Sequence, residues 1–263
     1  IYDDDKRGGR LGILGAFYCI GALLWTLLNY FIPEYRIPLN AVSAVMVVFI
    51  VFFCFTSFPQ AKPQENVSLS KSLGLLKYPA LLAFSFVLFF QSGFEGASGN
   101  FTVSFLDKAV GMDNAAATLS MTWFTIGMMS GRLPLGFIMK RLKDLGTLYL
   151  YLIVALIGVL LFYIFSNEAV VVYVAMVLLG FGVGATYPVV LNYIGGVFRE
   201  LSGTAFSIAI FIALCGQSVF NKLTGIAFDN GNYQLLPVVL ILAVLAMMVL
   251  VPFAVAVAKK MSK

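Results

Sequence analysis

The chain has 263 residues, 61% of them hydrophobic and 11% charged, with a net charge of +5. A soluble domain carries roughly 25% charged residues, so the composition excludes an ordinary water-soluble protein and indicates a membrane protein. The basic residues fall between apolar runs and form no basic face, which excludes a nucleic-acid binder, and the absence of histidine removes the commonest general base and metal ligand.

A spanning helix needs about 20 apolar residues. Eight stretches meet this in chain order: 11–32, 37–58, 79–106, 115–138, 145–165, 169–193, 203–228 and 234–257. The fold class is therefore all-α, with eight transmembrane helices. Short connections make neighbouring helices antiparallel. The exception is 59–78, a polar segment that opens with prolines and then spaces Leu69, Leu73 and Leu76 as one helical face. It reads as a surface helix on the cytoplasmic side, joining two parts of the chain. Of the 17 basic residues, 14 flank the same side of the spans, the side that holds both chain ends and the 59–78 linker. Positive charge stays cytoplasmic, so both termini of the chain are expected inside a plasma or bacterial inner membrane. The cysteines, Cys19, Cys54 and Cys215, lie within apolar runs with no CxxC spacing and read as buried thiols.

The twelve acidic residues sort to the ends of the spans with one exception. Glu95 lies inside the third span, within "FFQSGFEGASGNF", about 24 Å along the helix from Pro79. A carboxylate at that depth costs roughly 2.5–3.5 kcal/mol on the lenient insertion scale, so it must face protein or water. Gln91, Glu95, Ser98 and Thr102 form one stripe down the helix, the pattern of a cavity wall or a helix contact. Burial suits such a carboxyl to reversible proton binding. A structural acid hydrogen-bonded between helices is the plainer reading.

At the cytoplasmic end of the fourth span, "SGRLPLGFIMKRLKD" sets Gly131 and Gly136 for close helix approach and Arg132, Lys140 and Arg141 at the membrane exit. Alone this would be a positive-inside anchor. In the sixth span, "GFGVGATYPVVLNY" removes side chains at Gly180, Gly182 and Gly184 and then breaks the helix ladder at Pro188, after Tyr187. In the seventh, Gln217, near mid-membrane, and Asn221 are four residues apart, with Lys222 placed to snorkel outward. Trp123 on the fourth span offers a face for a sugar ring or, more simply, packing. The candidate substrate-binding set is Gln91, Glu95, Trp123, Tyr187, Gln217 and Asn221, with Glu95 also the candidate proton carrier.

Taken in order, these motifs resemble the major facilitator superfamily of secondary transporters, from the fifth helix of that twelve-helix fold to its end. Gly131-Arg132-x-x-x-Gly136 followed by Lys140-Arg141 resembles the family's cytoplasmic gating signature, with Lys140 where an acidic residue usually stands. Within the family the likeness is to fucose permease-like sugar:proton symporters. It rests on Gly93-x-Glu95-x-x-x-Gly99, on Trp123 with Gly127, and on Tyr187-Pro188. The resemblance implies a partial major facilitator fold. Residues 1–58 would be the last two helices of an incomplete N-terminal half, 59–78 the linker, and 79–263 a complete six-helix half. It implies alternating access, a small polar solute such as a sugar, and coupling to H+. The gate would be Gly131, Arg132, Gly136 and Arg141. It implies no cofactor, no metal, and no partner beyond the solute, the coupling ion and the bilayer.

An enzyme is disfavoured. Ser-His chemistry lacks its histidine, no aspartate pair lies within the spans, and no zinc ligand set is visible. A channel or structural bundle is the alternative, although no filter loop or charged ring is present. A carrier for a non-sugar organic solute is the other.

Overall fold

Prolines decide where several of these apolar runs break. In the computed structural model, residues 4–32, 34, 36–57, 74–199 and 201–261 are described, with side chains from residue 13 onward apart from 26, 27, 29–31 and 261. The helices are α1 (Asp4–Phe31), α2 (Arg36–Phe55), α3 (Pro79–Phe105), α4 (Asn114–Arg132), α5 (Leu135–Ile164), α6 (Ala169–Gly184), α7 (Thr186–Val197), α8 (Ser202–Asp229) and α9 (Leu235–Met261). A π-helical turn, Leu106–Val110, prolongs α3. Since α6 and α7 form one interrupted rod, the described helices make eight rods. Six are long and apolar enough to cross a membrane by length and composition, so the chain is a multi-pass membrane protein.

Pro79 opens α3 at a position where no N–H is needed. Asp113 caps α4, its carboxylate accepting from the N–H groups of Ala115 (3.0 Å) and Ala116 (3.4 Å). Asp113→Ala is expected to cost about 1 kcal/mol, read as a small fall in melting temperature with the fold unchanged. The fourth span stops at Arg132, short of the expected residue 138, because Pro134 has no N–H to continue the ladder. Residues 135–142 are a separate helical arm, and the next span resumes after a break at Lys143 (φ 56°, ψ 176°). Only the end of the expected 59–78 surface helix is described, as a 3-10 turn over Leu75–Lys77, and the remainder lies outside the described residues.

α3 lies at the centre of the bundle, packed along α8 and α9. α4 packs on α6, α5 on α6 and α9, and α7 touches α3 and α8. The core between them includes Phe84, Leu88, Phe94, Tyr151, Leu152, Met176, Leu240 and Met247, all fully buried. α4 and α6 approach backbone to backbone. Gly127 and Gly131 face the carbonyls of Val177 and Phe181, while Gly180 and Gly184 face those of Phe124 and Met128. The four glycines alternate across the contact, so each helix fits into space the other has left open. Tyr151 closes its edge, donating to the Gly131 carbonyl at 2.5 Å and stacking flat on Phe181 at 4.8 Å.

α1 leans across α4, α5 and α7, and α2 makes its main helix contact with α1. All of α2 from Leu39 to Phe55 is exposed. The cysteine reading needs correcting: Cys19 is buried, but Cys54 and Cys215 are exposed. An apolar run is hydrophobic on every side, so it does not reveal which side faces lipid.

Candidate functional site

The break between α6 and α7 builds the site. Pro188 has no N–H, so the Gly184 carbonyl four residues earlier loses its partner within the helix. Arg132 takes that carbonyl, its Nε donating at 3.0 Å. The side chain of Gln91 donates to the adjacent Val183 carbonyl at 3.3 Å and to the Glu95 carboxylate at 3.2 Å. A sequence interruption in one rod thus orients a cation from α4 and an amide from α3.

Arg132 is 7% exposed, buried where a helix end meets the break. Its Nη1 donates to the Gly15 carbonyl of α1 at 2.7 Å and to Cys19 Sγ at 3.5 Å, and its guanidinium lies 5.8 Å from the Tyr18 ring centre. Gly15 leaves room for it: a Cβ there would stand 3.0 Å from Arg132 Cδ, tighter than ordinary contact. Two backbone carbonyls, a thiol and an aromatic face surround the cation, which is how a buried guanidinium is tolerated.

Around these groups lies a cavity of about 400 Å3. Leu14, Gly15 and Tyr18 come from α1, Glu95 from α3, Arg132 from α4, and Tyr187, Pro188 and Leu191 from α7. The wall is chiefly apolar, with one carboxyl, one guanidinium and two phenols. That arrangement can orient a small polar solute and hold a proton near it.

Three of the six candidate binding residues come together here. Glu95 and Tyr187 line the cavity, and the fully buried Gln91 braces Glu95 from behind. Gln217 and Asn221 of α8 flank Gly96, where a Cβ would be 2.6 Å from Gln217 Cγ and 3.3 Å from Asn221 Nδ2. They therefore stand beside Glu95 along α3, outside the described cavity wall. Trp123 is not brought in. It is 37% exposed and leans towards Tyr173, ring centres 6.3 Å apart.

The four expected gate residues separate. Arg132 turns into the cavity, where the sequence suggested a membrane-boundary position, and Gly131 packs on α6. The half-buried Gly136 and the exposed Arg141, whose guanidinium lies 4.9 Å from the Phe137 ring centre, belong to the 135–142 arm. On that side Asn192 of α7 donates to Asp144 at 3.4 Å. The sequence reading missed Gly15, Tyr18 and Leu191. Gly15 and Cys19, four apart on one face of α1, were the available signal, since two small residues leave room for a larger side chain from elsewhere.

A family model described as Major Facilitator Superfamily matches residues 1–220 and again 84–262. A curated relative, the glucose/mannose transporter GlcP of Bacillus subtilis (strain 168), is 22% identical over 248 residues. That match covers 88% of this chain, which spans 60% of the length of that relative. Among solved structures, a variant of the E. coli fucose:proton symporter FucP superposes with a TM-score of 0.76 at 15% identity, covering 96% of this chain and 70% of the other. FucP in the outward conformation gives 0.75, also at 15% identity, covering 96% and 69%. At that identity the likeness concerns the fold.

Proposed function

The chain belongs to the Major Facilitator Superfamily, and from that premise we propose that it works as a secondary carrier. It moves a small polar solute, a sugar, across a membrane by alternating access, in exchange for the free energy of a proton gradient. The observation that carries this reading is the Glu95 carboxyl, far from either end of its span, opening onto a cavity that also holds Arg132 and Tyr187. The names of the similar proteins, a glucose/mannose transporter and a fucose:proton symporter, support a sugar as the solute class.

In this reading residues 79–263 form one six-helix half, 59–78 the linker, and 1–58 two helices of the opposite half. The cavity between α1 and the six-helix half is then the interface on which the halves rock. Both ends of the chain lie on the cytoplasmic side of a plasma or bacterial inner membrane. Gln91, Gln217 and Asn221 supply hydrogen bonds next to Glu95, and Tyr187 supplies an aromatic edge. Gly131, Arg132, Gly136 and Arg141 act at the cytoplasmic side of the motion, with Arg132 reaching inward from it.

The test is Glu95→Gln in the full product of the gene, reconstituted in proteoliposomes. Glutamine keeps the shape and much of the hydrogen bonding but cannot titrate. The expected result is counterflow of labelled sugar at a rate near wild type, with accumulation driven by a pH gradient abolished. Wild-type accumulation in the variant would remove Glu95 from proton coupling. A lower affinity with intact coupling would make it a solute contact alone.

A further inference from the structure

We infer that the cavity takes a hydroxylated monocarboxylate, a sugar acid, whose carboxylate replaces that of Glu95 as the counter-charge of Arg132 when Glu95 takes up a proton. This rests on the carrier reading above and names its solute class.

Arg132 and Glu95 open onto one cavity of about 400 Å3, and they are the two side chains of its described wall that carry charge near neutral pH. Arg132 is 7% exposed and tied to the carbonyls of Gly184 and Gly15. Those bonds hold the guanidinium in place whatever faces it. Arginine does not lose its proton in proteins, so the charge state of the cavity depends on Glu95. Ionised, Glu95 balances Arg132. Protonated, it leaves Arg132 as the one charge in a mostly apolar chamber, where an unbalanced charge is costly. Peptide carbonyl dipoles lower that cost, and a neutral sugar adds no opposing charge.

A monocarboxylate removes the imbalance. The proton adds to the Glu95 carboxylate to make the neutral acid, and the solute's carboxylate lies beside the guanidinium as its counter-charge, while Nε and Nη1 stay on the carbonyls of Gly184 and Gly15. The cavity carries zero net charge before and after loading. One proton then travels with one anion, and the cycle is electroneutral.

Among the described residues, the ionisable groups around Glu95 are Tyr18 and Cys19 of α1, Arg132 of α4 and Tyr187 of α7. α8 contributes the amides Gln217 and Asn221, with Lys222 exposed. α6 contributes the Val183 carbonyl through Gln91, and the basic residues of α9, Lys259 and Lys260, sit in its last turn.

The experiment compares gluconate with glucose, using the full product of the gene. Binding is measured calorimetrically in lipid nanodiscs from pH 5 to 8, and uptake in proteoliposomes. Gluconate is expected to bind at least about tenfold more tightly than glucose at pH 5. Its affinity should fall about tenfold per pH unit once Glu95 is ionised, because proton and anion bind together. In Glu95→Gln the affinity should be independent of pH. Gluconate uptake should follow an inward proton gradient and ignore a potassium diffusion potential. Glucose binding as tight as gluconate overturns the inference and leaves the carrier reading standing. Uptake that follows the potential, or a Glu95→Gln variant that keeps the pH slope, also overturns it. Binding of neither solute overturns the inference and the sugar reading together. The wild-type comparison of the two solutes decides the matter even if the variant fails to fold.

Discussion

Replacing Gly180 with leucine is expected to leave almost no folded protein. Gly180 faces the carbonyl of Phe124, and a Cβ placed on it would be 2.8 Å from the Met128 backbone nitrogen. The obstacle is backbone, which cannot rotate away as a side-chain tip could. To admit leucine, α4 and α6 must move apart, and the reciprocal contacts at Gly127, Gly131 and Gly184 go with them. In lipid no hydrophobic force between helices replaces that lost packing, since the lipid chains are as apolar as leucine. The loss should exceed the 1–3 kcal/mol typical of an overfilled core. Size-exclusion chromatography of a fluorescent fusion in mild detergent should show the monodisperse peak reduced at least about tenfold, the equivalent of about 1.4 kcal/mol or more. Gly99→Leu is the control, because Gly99 is exposed and a Cβ there meets nothing within 4 Å. Its peak should stay near wild type. A monodisperse Gly180→Leu protein with an unchanged melting temperature would mean that the helices do not approach this closely.

The eight rods were legible because lipid imposes a strict rule: an apolar run of about 20 residues has few other uses. The inward stripe of Gln91 and Glu95 was legible for the same reason, since an ionisable group in a span must face protein or water. What escaped was set by contacts between distant parts of the chain. Arg132 stands near the end of its span and reads as a surface anchor until the carbonyl freed by Pro188, on another rod, is known to lie opposite. Gly15 and Cys19 of α1 look like filler until Arg132 is seen to occupy the space above them. Trp123 shows the reverse case. Its ring type suits a sugar, but its position on α4 turns it towards Tyr173 and away from the cavity.

Arg132 and Pro188 are expected to be energetically coupled, and the coupling has a definite sign. In the wild type, Pro188 deprives the Gly184 carbonyl of its partner within the helix and Arg132 supplies another at 3.0 Å. Arg132→Met keeps the bulk, removes the donors, and strands the Gly184 carbonyl inside the bundle, while the Gly15 carbonyl keeps its place in the α1 ladder. An unsatisfied buried group costs about 1–3 kcal/mol, so the single variant should be strongly destabilised. It should also release α1, whose polar ties to the bundle include Gly15 and Cys19. Pro188→Ala acts from the other side. It restores an N–H four residues after Gly184, so the carbonyl can close its own ladder and the interrupted rod can straighten. In that background Arg132→Met strands one carbonyl fewer, and its cost should shrink by about 1 kcal/mol or more. The measurement is a double-mutant cycle of thermal unfolding on the four proteins in one detergent. Additive losses would mean that Arg132 and the α6–α7 break are independent, and that the break does not hold the cation. A smaller loss in the Pro188→Ala background would identify the proline as the residue that creates the arginine's site. The same cycle read in transport should diverge from the one read in stability. Straightening the rod repairs the hydrogen bond, but it leaves the cavity without the guanidinium that shares its wall with Glu95, so the double variant should fold and fail to accumulate solute.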